Sequence, residues 1–326
     1  MAIPSYRKFN YRVRPAKSIE RKMLCEALLR LSFFESVENY RYIGFGSTTF
    51  VDFILFHKTL GIKNMISIEK REMDKARFEF NKPFDCIDMR YGDSNKVLPS
   101  LAWETKTIVW LDYDGFLTDS VLQDVAYTSM NLISGSILIV TVNAMPDSLP
   151  DPRPSTEEEV QNYRLEKFKG RIGSDKVPVD VRGKNLEGEE MAKTCRRVIL
   201  NEIEQRLRDR NGLRSAEQKI GYKSLFNFLY QDDARMLTVG GIFYEACDKK
   251  SLKQCEFGNL EFVRSDDEFY KIDVPILTHR ERLYLDKRLP HGNSDDGKQI
   301  GLAEKDITNY VRLYRYLPAF AEVELS

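Results

Sequence analysis

The sequence predicts an α/β protein built on a doubly wound, mostly parallel sheet, and three observations support this fold class. Short apolar runs alternate with segments of helical length and period along the first half of the chain, which is typical of repeated βαβ units. The first run stops at a glycine-rich turn, Gly44-Phe45-Gly46, and the second run ends in Glu69. Ligands of such folds lie at the carboxyl ends of the strands, so we expect a binding site there.

The composition limits the classes of function. The chain has 326 residues, with 50 basic and 50 acidic side chains, and this length suits one large α/β domain with additions or two domains. Net neutrality argues against a protein that coats nucleic acid through bulk charge, although a local basic patch stays compatible with it. No apolar run approaches the roughly 20 residues that a membrane helix needs, so no membrane partner is expected.

The cysteines and the start of the chain indicate a compartment. There are 5 cysteines and no Cys-x-x-Cys pair, a pattern typical of reduced thiols rather than of a zinc site or a disulfide framework. The first residues lack the apolar core of a secretory signal. We therefore expect a cytoplasmic protein. The sequence specifies no oligomeric state.

The first predicted element is an amphipathic helix over about residues 18–34, behind a basic and aromatic arm at residues 1–15. Apolar residues recur along it at helical spacing, and Ser18 is expected to be its N-cap. Lys17 and Arg21 are candidates for contact with a ligand carboxylate or an acidic substrate. The alternative is that both belong to a solvated helix face.

Five strands follow, each expected to be buried on both faces because the runs are almost uninterrupted by charge. They are predicted near residues 42–44, 65–68, 84–89, 107–111 and 135–143. The third run leads into Gly92-Asp93-Ser94, and the fourth leads into Asp112-Tyr113-Asp114. Both turns place carboxylates at the edge of the sheet where the ligand is expected.

The second half of the chain is more charged. Prolines cluster at residues 144–154 and predict a loop. Residues 155–215 are expected to form an inserted helical region, mobile near residues 170–190, and we interpret it as a candidate substrate lid. A solvated helical hairpin or a contact with another subunit is the alternative.

Further along, a helix is predicted over residues 216–234 and strands over 236–245 and 269–275. One or two terminal helices are expected after residue 276. The predicted units are 1–39 (arm and helix), 40–146 (cofactor-binding core), 147–215 (charged insert), 216–275 (remainder of the sheet) and 276–326 (C-terminal helical addition).

These motifs resemble a known superfamily. The glycine turn, Glu69, Gly92-Asp93 and Asp112 stand in the order and spacing of the cofactor motifs of class I S-adenosylmethionine-dependent methyltransferases. Within it, residues 14–22 and 110–114 resemble a bacterial group of O-methyltransferases. The resemblance implies a Rossmann-like sheet of seven strands, whose last two, here 236–245 and 269–275, form an antiparallel pair at the edge.

The resemblance also implies roles for individual residues. Gly44 and Gly46 would let the backbone approach the methionine part of S-adenosyl-L-methionine, and Ser47 with Thr48 would begin and cap the next helix. Glu69 would hold the ribose. The implied cofactor-binding residues are Gly44, Phe45, Gly46, Ser47, Glu69, Asp93, Ser94 and Asp112, with Asp93 and Ser94 at the adenine and Asp112 beside the sulfonium. For a single position, a tight turn or a helix cap is an equally good explanation.

The catalytic candidates are Asp112, Tyr113 and Asp114. Two carboxylates after a strand can orient an amine, deprotonate an alcohol or bind a divalent ion. Metal-dependent O-methyltransferases of the catechol type take an Asp-Asn pair after the fifth strand. Here Asn143 follows Val142, so we predict no metal site and retain Asn143 as a substrate candidate.

Three hypotheses about function follow. The favoured one is methyl transfer, by family resemblance to oxygen, on an acceptor that the sequence does not identify. A guanine-modifying group of tRNA methyltransferases carries Asp-Leu-Asp-Pro-Phe-Gly where this chain has Asp112-Tyr113-Asp114-Gly115-Phe116, so a nucleic-acid base methyltransferase is the second hypothesis. The third is a non-catalytic module of a larger assembly. An NAD-linked reductase is disfavoured by the missing third glycine.

Overall fold

The computed structural model describes residues 14–293 and 295–318. The predicted basic arm lies outside them, apart from its last two residues. The strands are β1 Arg41–Gly44, β2 Asn64–Glu69, β3 Ile87–Tyr91, β4 Thr107–Phe116, β5 Ile137–Asn143, β6 Ile220–Gln231, β7 Arg235–Glu245 and β8 Tyr270–Ile272. The helices are α1 Pro15–Leu29, α2 Val51–Leu60, α3 Lys75–Asn81, α4 Ser94–Val97, α5 Asp119–Asn131, α6 Glu157–Ile172, α7 Glu190–Asn211, α8 Lys249–Gln254, α9 His279–Asp286 and α10 Glu304–Leu313.

The strands form one sheet of 8 strands in the order β3-β2-β1-β4-β5-β7-β6-β8. Strands β1 to β5 are parallel to one another, whereas β7 is antiparallel to both of its neighbours. The chain runs outward in one direction from β1 and in the other from β4, so the strand order reverses between these two strands. Their carboxyl ends are therefore the expected ligand site. The predicted fold class is confirmed, with one strand more than expected.

Helices cover both faces of the sheet. Along β4, Ile108 and Trp110 belong to the core on the side of α1 and α2, while Val109 and Leu111 belong to the core on the side of α5 and α7. All four side chains are fully buried. This alternation explains the uncharged run in the sequence, because a strand covered on both faces has no solvent-facing positions.

The prediction for residues 216–234 is wrong. Within this range, Ile220–Gln231 forms β6, which pairs with β7 on one side and with β8 on the other. The antiparallel pair at the end of the sheet is accordingly β6–β7. The second predicted partner, residues 269–275, contributes only the short edge strand β8, and this strand is parallel to β6.

The N-terminal helix begins earlier than predicted. Its first residue is Pro15, and Ser18 lies inside α1 instead of capping it. The carboxylate of Asp232, from the turn between β6 and β7, accepts hydrogen bonds from the backbone N–H groups of Ala16 and Lys17 at 3.0 and 3.2 Å. A residue far along the chain thus satisfies the first turn of the helix, as a local cap would.

The charged insert contains two helices with different positions. Helix α7 carries a buried row on the sheet, including Cys195, Ile199 and Ile203, within the same core as α5. Helix α6 begins with a capping box of Thr156 and Glu159. Helix α7 is therefore a layer of the fold, and α6 adds Phe168 and Ile172 to the same core. Within the described ranges, no helix is both long and apolar enough to cross a membrane.

Candidate active site

The loop after β1 packs tightly onto β2. Gly46 has no room for a side chain, because a Cβ there would lie 2.6 Å from both the Phe50 ring and the Ser67 hydroxyl. Its backbone N–H donates to Ser67 Oγ at 3.1 Å. Ser47 and Phe50 both adopt positive φ, 54° and 47°, a conformation that costs energy for residues other than glycine. Such strain tends to occur where function requires a particular loop shape.

This loop corrects one prediction. Ser47 and Thr48 do not cap the following helix, which begins at Val51 after the left-handed Phe50 and has no side-chain cap. Phe50 is instead buried in the core on the side of the sheet that α1 and α2 cover. Ser47 uses its backbone N–H to reach the second strand, where it donates to Glu69 Oε1 at 2.7 Å.

Glu69 ends β2 directly beneath the loop. Ser67 Oγ lies 3.4 Å from its Oε1, in addition to the Ser47 N–H. Burial raises the pKa of Glu69 to about 7, even though the hydrogen bonds from the loop favour the charged form. A buried carboxyl that titrates near neutrality beside a strained loop is typical of a functional site.

Two cavities meet at this point. They have volumes of about 230 and 380 Å³ and share the lining residues Phe45, Glu69, Tyr113 and Asp114. The first is also lined by Arg21, Gly46, Ser47 and Asp112. The second is also lined by Lys70, Asp93, Ser94 and Phe116. We call the two together the cleft, and the structure thus brings most of the predicted site residues to one place.

The end of β4 supplies the middle of the cleft. The pairing of β4 with β5 shifts between Asp112 and Phe116, which oppose Thr141 and Asn143. The intervening residues therefore leave the ladder, and such irregularities commonly direct side chains at active sites. Asp112 is partly buried, whereas Asp114 is exposed.

Tyr113 has a structural partner that the sequence analysis missed. Its hydroxyl donates to Asp124 Oδ2 at 2.5 Å, and the same carboxylate accepts from the side chains of Ser94 and Asn95. Burial and the neighbouring Asp124 keep the pKa of Tyr113 well above its usual value. Its ring packs edge-on against Phe45, with 5.1 Å between centroids. Tyr113 therefore joins the two halves of the cleft, and it is poorly suited to be a base.

The far end of the cleft carries an exposed ion pair. Lys70 Nζ lies 2.7 Å from Asp93 Oδ1, and this contact holds the pKa of Asp93 below its ordinary value. Asp93 precedes α4 and stands at the carboxyl end of β3. It is accessible to a ligand group that donates hydrogen bonds.

Helix α1 closes the cleft on the other side, but its two candidates differ. Arg21 lines the first cavity and forms an ion pair with Asp52 of α2. Lys17 is only 1% exposed and directs its ammonium group at Asp112 and Glu20. Lys17 thus reaches the site only through Asp112, contrary to the prediction that it contacts a ligand.

Asn143 is engaged locally. Its Oδ1 accepts the backbone N–H of Met145 at 2.8 Å, and Asn143 does not line either part of the cleft. In the described part of the chain, the one close group of potential metal ligands is Glu245, Cys247 and Asp248. That group includes no residue of the cleft.

Arg171 of α6 contacts Phe116, which lines the second cavity of the cleft. Its guanidinium donates to the carbonyl of Leu117 at 3.0 Å and to Asp147 Oδ1 at 2.6 Å. It also stacks on the ring of Phe116, 4.6 Å from the centroid. The helix is thereby attached to the segments that follow β4 and β5.

The sequence matches, over residues 9–325, the family described as "Putative O-methyltransferase". The chain belongs to this family. The predicted likeness to O-methyltransferases and the predicted class of enzyme are confirmed by this family match. The acceptor and the roles of single residues remain predictions.

Among curated proteins, none matches the sequence. Similar solved structures include Trm1 from Pyrococcus horikoshii in complex with S-adenosyl-L-methionine, which is 12% identical with a TM-score of 0.43, over 76% of this chain and 58% of that one. The O-methyltransferase TomG from Streptomyces achromogenes, also in complex with this compound, is 11% identical with a TM-score of 0.35, over 67% and 79%. The match thus spans less than two thirds of the Pyrococcus protein. Neither similarity bears on the acceptor.

Proposed function

We propose that this protein transfers a methyl group from S-adenosyl-L-methionine to a hydroxyl of an acceptor bound at the open side of the cleft. The observation that carries the proposal is Glu69, which lies under the glycine loop where the two cavities meet. A carboxylate at the end of the second strand can accept hydrogen bonds from ribose hydroxyls. Because Gly46 has no side chain, the loop can pack against the Phe50 ring and Ser67, and the Ser47 N–H reaches Glu69.

The residues of the cleft fit the parts of this compound. The first cavity, with Gly46, Arg21 and Asp112, offers partners for an amino acid end, namely a guanidinium for its carboxylate and carboxylates for its ammonium. The second cavity, with Asp93 and Ser94, offers an acceptor for the adenine amino group. The sulfonium of the bound compound supplies the electrophilic methyl group.

The chain itself has to orient the acceptor and remove its proton. Asp112 is paired with Lys17 Nζ at 2.7 Å, so we assign it to orientation, as a fixed hydrogen-bond acceptor. Asp114 is exposed and lines both cavities, so we assign it to the proton. Tyr113 holds the two carboxylates in place through its bond to Asp124. Asn143 and Lys17 are not assigned to the substrate.

Helix α6 is the part of the insert that we propose to respond to the acceptor, because Arg171 connects it to the strand ends beside the cleft. The insert as a whole does not favour nucleic acid as the acceptor. Several of its cations pair with acids, among them Arg164 with Glu187 and Arg197 with Asp180. Phosphate binding would require such cations to exchange their partners.

We also propose a reducing compartment, such as a bacterial cytoplasm. The cysteines Cys25, Cys86, Cys195, Cys247 and Cys255 are all free thiols. Three of them, Cys25, Cys195 and Cys255, are buried, where a thiol packs as a small apolar group.

Calorimetric titration tests the proposal. The protein is titrated with S-adenosylmethionine, with S-adenosylhomocysteine and with NADH as a control. Micromolar binding of both sulfur nucleosides and no binding of NADH is the expected result. Binding of NADH alone, or of no nucleoside, would contradict the proposed function. A steeply salt-dependent affinity for RNA would instead favour a base as the acceptor.

A further inference from the structure

Strand β3 forms one edge of the sheet. It stands at the end of the strand order, and among the residues that the structure describes its one strand neighbour is β2. An edge strand carries a row of backbone N–H and C=O groups that are available to a further strand. The sequence of β3 therefore determines which strand this edge accepts.

The outward backbone groups of β3 belong to alternate residues. Cys86 before the strand and Gly92 after it each form a backbone hydrogen bond to β2, at 3.2 and 3.0 Å. Such bonds alternate along a regular strand, so the even-numbered residues face β2. The outward groups are then those of Met89 and Tyr91, together with the C=O of Ile87, whose N–H bonds within the preceding turn.

Two opposite charges stand on the solvent side of β3. The side chains of Asp88 and Arg90 are 52% and 51% exposed, and Arg90 Nη2 lies 2.7 Å from Asp88 Oδ2. Both side chains therefore lie on one face of the strand, as residues two apart must. Met89 between them packs against the core on the other face.

A second copy of β3 complements this edge. When two such strands run antiparallel about a two-fold axis at Met89, the outward N–H and C=O groups of the two Met89 residues bond to each other, and the N–H of Tyr91 meets the C=O of Ile87 of the second copy. Asp88 then lies directly opposite Arg90 of the second copy on the same face, and Arg90 lies opposite Asp88. Opposite charges in this position stabilise the pairing of two strands.

The charges also select this register. The neighbouring antiparallel registers that bring outward groups together are centred on Asp88 or on Arg90, and they set two aspartates or two arginines against each other. Like charges directly opposite are destabilising. Charges of a single sign would protect an edge strand against pairing, whereas β3 carries one charge of each sign in a self-complementary order.

We propose that the protein forms a two-fold symmetric dimer through β3, in which the two sheets of 8 strands join into one. The proposal does not depend on the ligand of the cleft. Because the joined strands run in opposite directions, the two clefts lie at opposite edges of the joined sheet. A ladder of 5 residues is small beside a standard interface of about 1,200–2,000 Å², so we expect a weak and reversible dimer.

Sedimentation velocity of the full chain, from about 1 µM to about 1 mM, tests the dimer. Asp88→Arg and Arg90→Asp each set like charges across the axis, so each should raise the dissociation constant of the dimer by roughly tenfold or more. The double variant Asp88→Arg, Arg90→Asp restores opposite charges in the same register. It should recover the wild-type constant within about threefold.

Arg197→Asp is the matched control. It reverses a charge on α7 that is 48% exposed, similar to the exposure of Arg90, and the dimer should keep the wild-type constant. A wild type that stays monomeric through the whole series would overturn the proposal, because the charges of β3 would then protect the edge. A dimer that both single variants leave unchanged, or that the double variant fails to restore, would also overturn it.

Discussion

Replacement of Glu69 by glutamine examines the residue on which the proposed site depends. Burial raises the pKa of Glu69 to about 7. About a tenth of this carboxyl is then ionised at pH 6 and about nine tenths at pH 8. A ribose that donates hydrogen bonds to the ionised form should therefore bind roughly tenfold more tightly at pH 8 than at pH 6.

The assay is calorimetric titration with S-adenosylhomocysteine at several pH values. The Glu69→Gln variant should bind more weakly at pH 8, by about 1–3 kcal/mol, because it loses charged hydrogen bonds. It should also lose the rise in affinity with pH, and so it serves as the control for titration of the ligand. Wild-type affinity that is as flat with pH as that of the variant would refute the assignment of Glu69 to the ribose.

The same pKa has a consequence for the stability of the ligand-free protein. The folded pKa of Glu69, about 7, lies above the ordinary value of 4.5 for a glutamate, so the folded state holds the proton more tightly than the unfolded chain does. This contribution is complete below pH 4.5 and is lost as the pH rises through 7. It amounts to at most about 3 kcal/mol. The free energy of unfolding, measured in urea at each pH, should therefore fall more steeply with rising pH for the wild type than for Glu69→Gln.

Three other substitutions have separate expected outcomes. Gly46→Ala places a methyl group 2.6 Å from the Phe50 ring, so it should destabilise the fold by about 1–3 kcal/mol in urea unfolding. It should also weaken nucleoside binding, and an unchanged affinity would contradict the shape assigned to the loop. Asp112→Asn should keep the affinity for S-adenosylhomocysteine within about threefold but lower the rate of methyl transfer by roughly a hundredfold or more; retained turnover would exclude its role in orienting the acceptor. Tyr113→Phe should cost about 1–3 kcal/mol of stability, since buried Asp124 loses a partner, and an unchanged unfolding midpoint would contradict this.

The parallel half of the fold was predictable because its signals are local. Strands β1, β2, β4 and β5 contain apolar runs, whereas the edge strand β3 alternates buried and more exposed residues. The acidic or glycine residues at the strand ends, such as Glu69 and Gly92, stand next to them in the sequence. Strand β6 was mistaken for a helix for a physical reason. Most of its residues are buried and it pairs on both sides, so its sequence does not alternate, and such a run has no period that separates strand from helix.

Contacts between distant residues account for the remaining errors. Ser18 is a reasonable cap by local rules, but Asp232, which is distant in sequence and lies in the turn between β6 and β7, caps the helix instead. Lys17 was expected to face a ligand. Instead it is buried, and its ammonium group pairs with Glu20 on the same helix and with Asp112 on β4. Asp124 lies in the middle of α5, where nothing in the sequence shows that three side chains from two other segments converge on it.

The most direct test of the central claim is a crystal structure of the protein with S-adenosylhomocysteine. The account predicts the ribose hydroxyls against the carboxylate of Glu69, the adenine beside Asp93 and Ser94, and the sulfur next to Asp112. A nucleoside bound outside this cleft, or a ribose held by residues other than Glu69, would contradict the account.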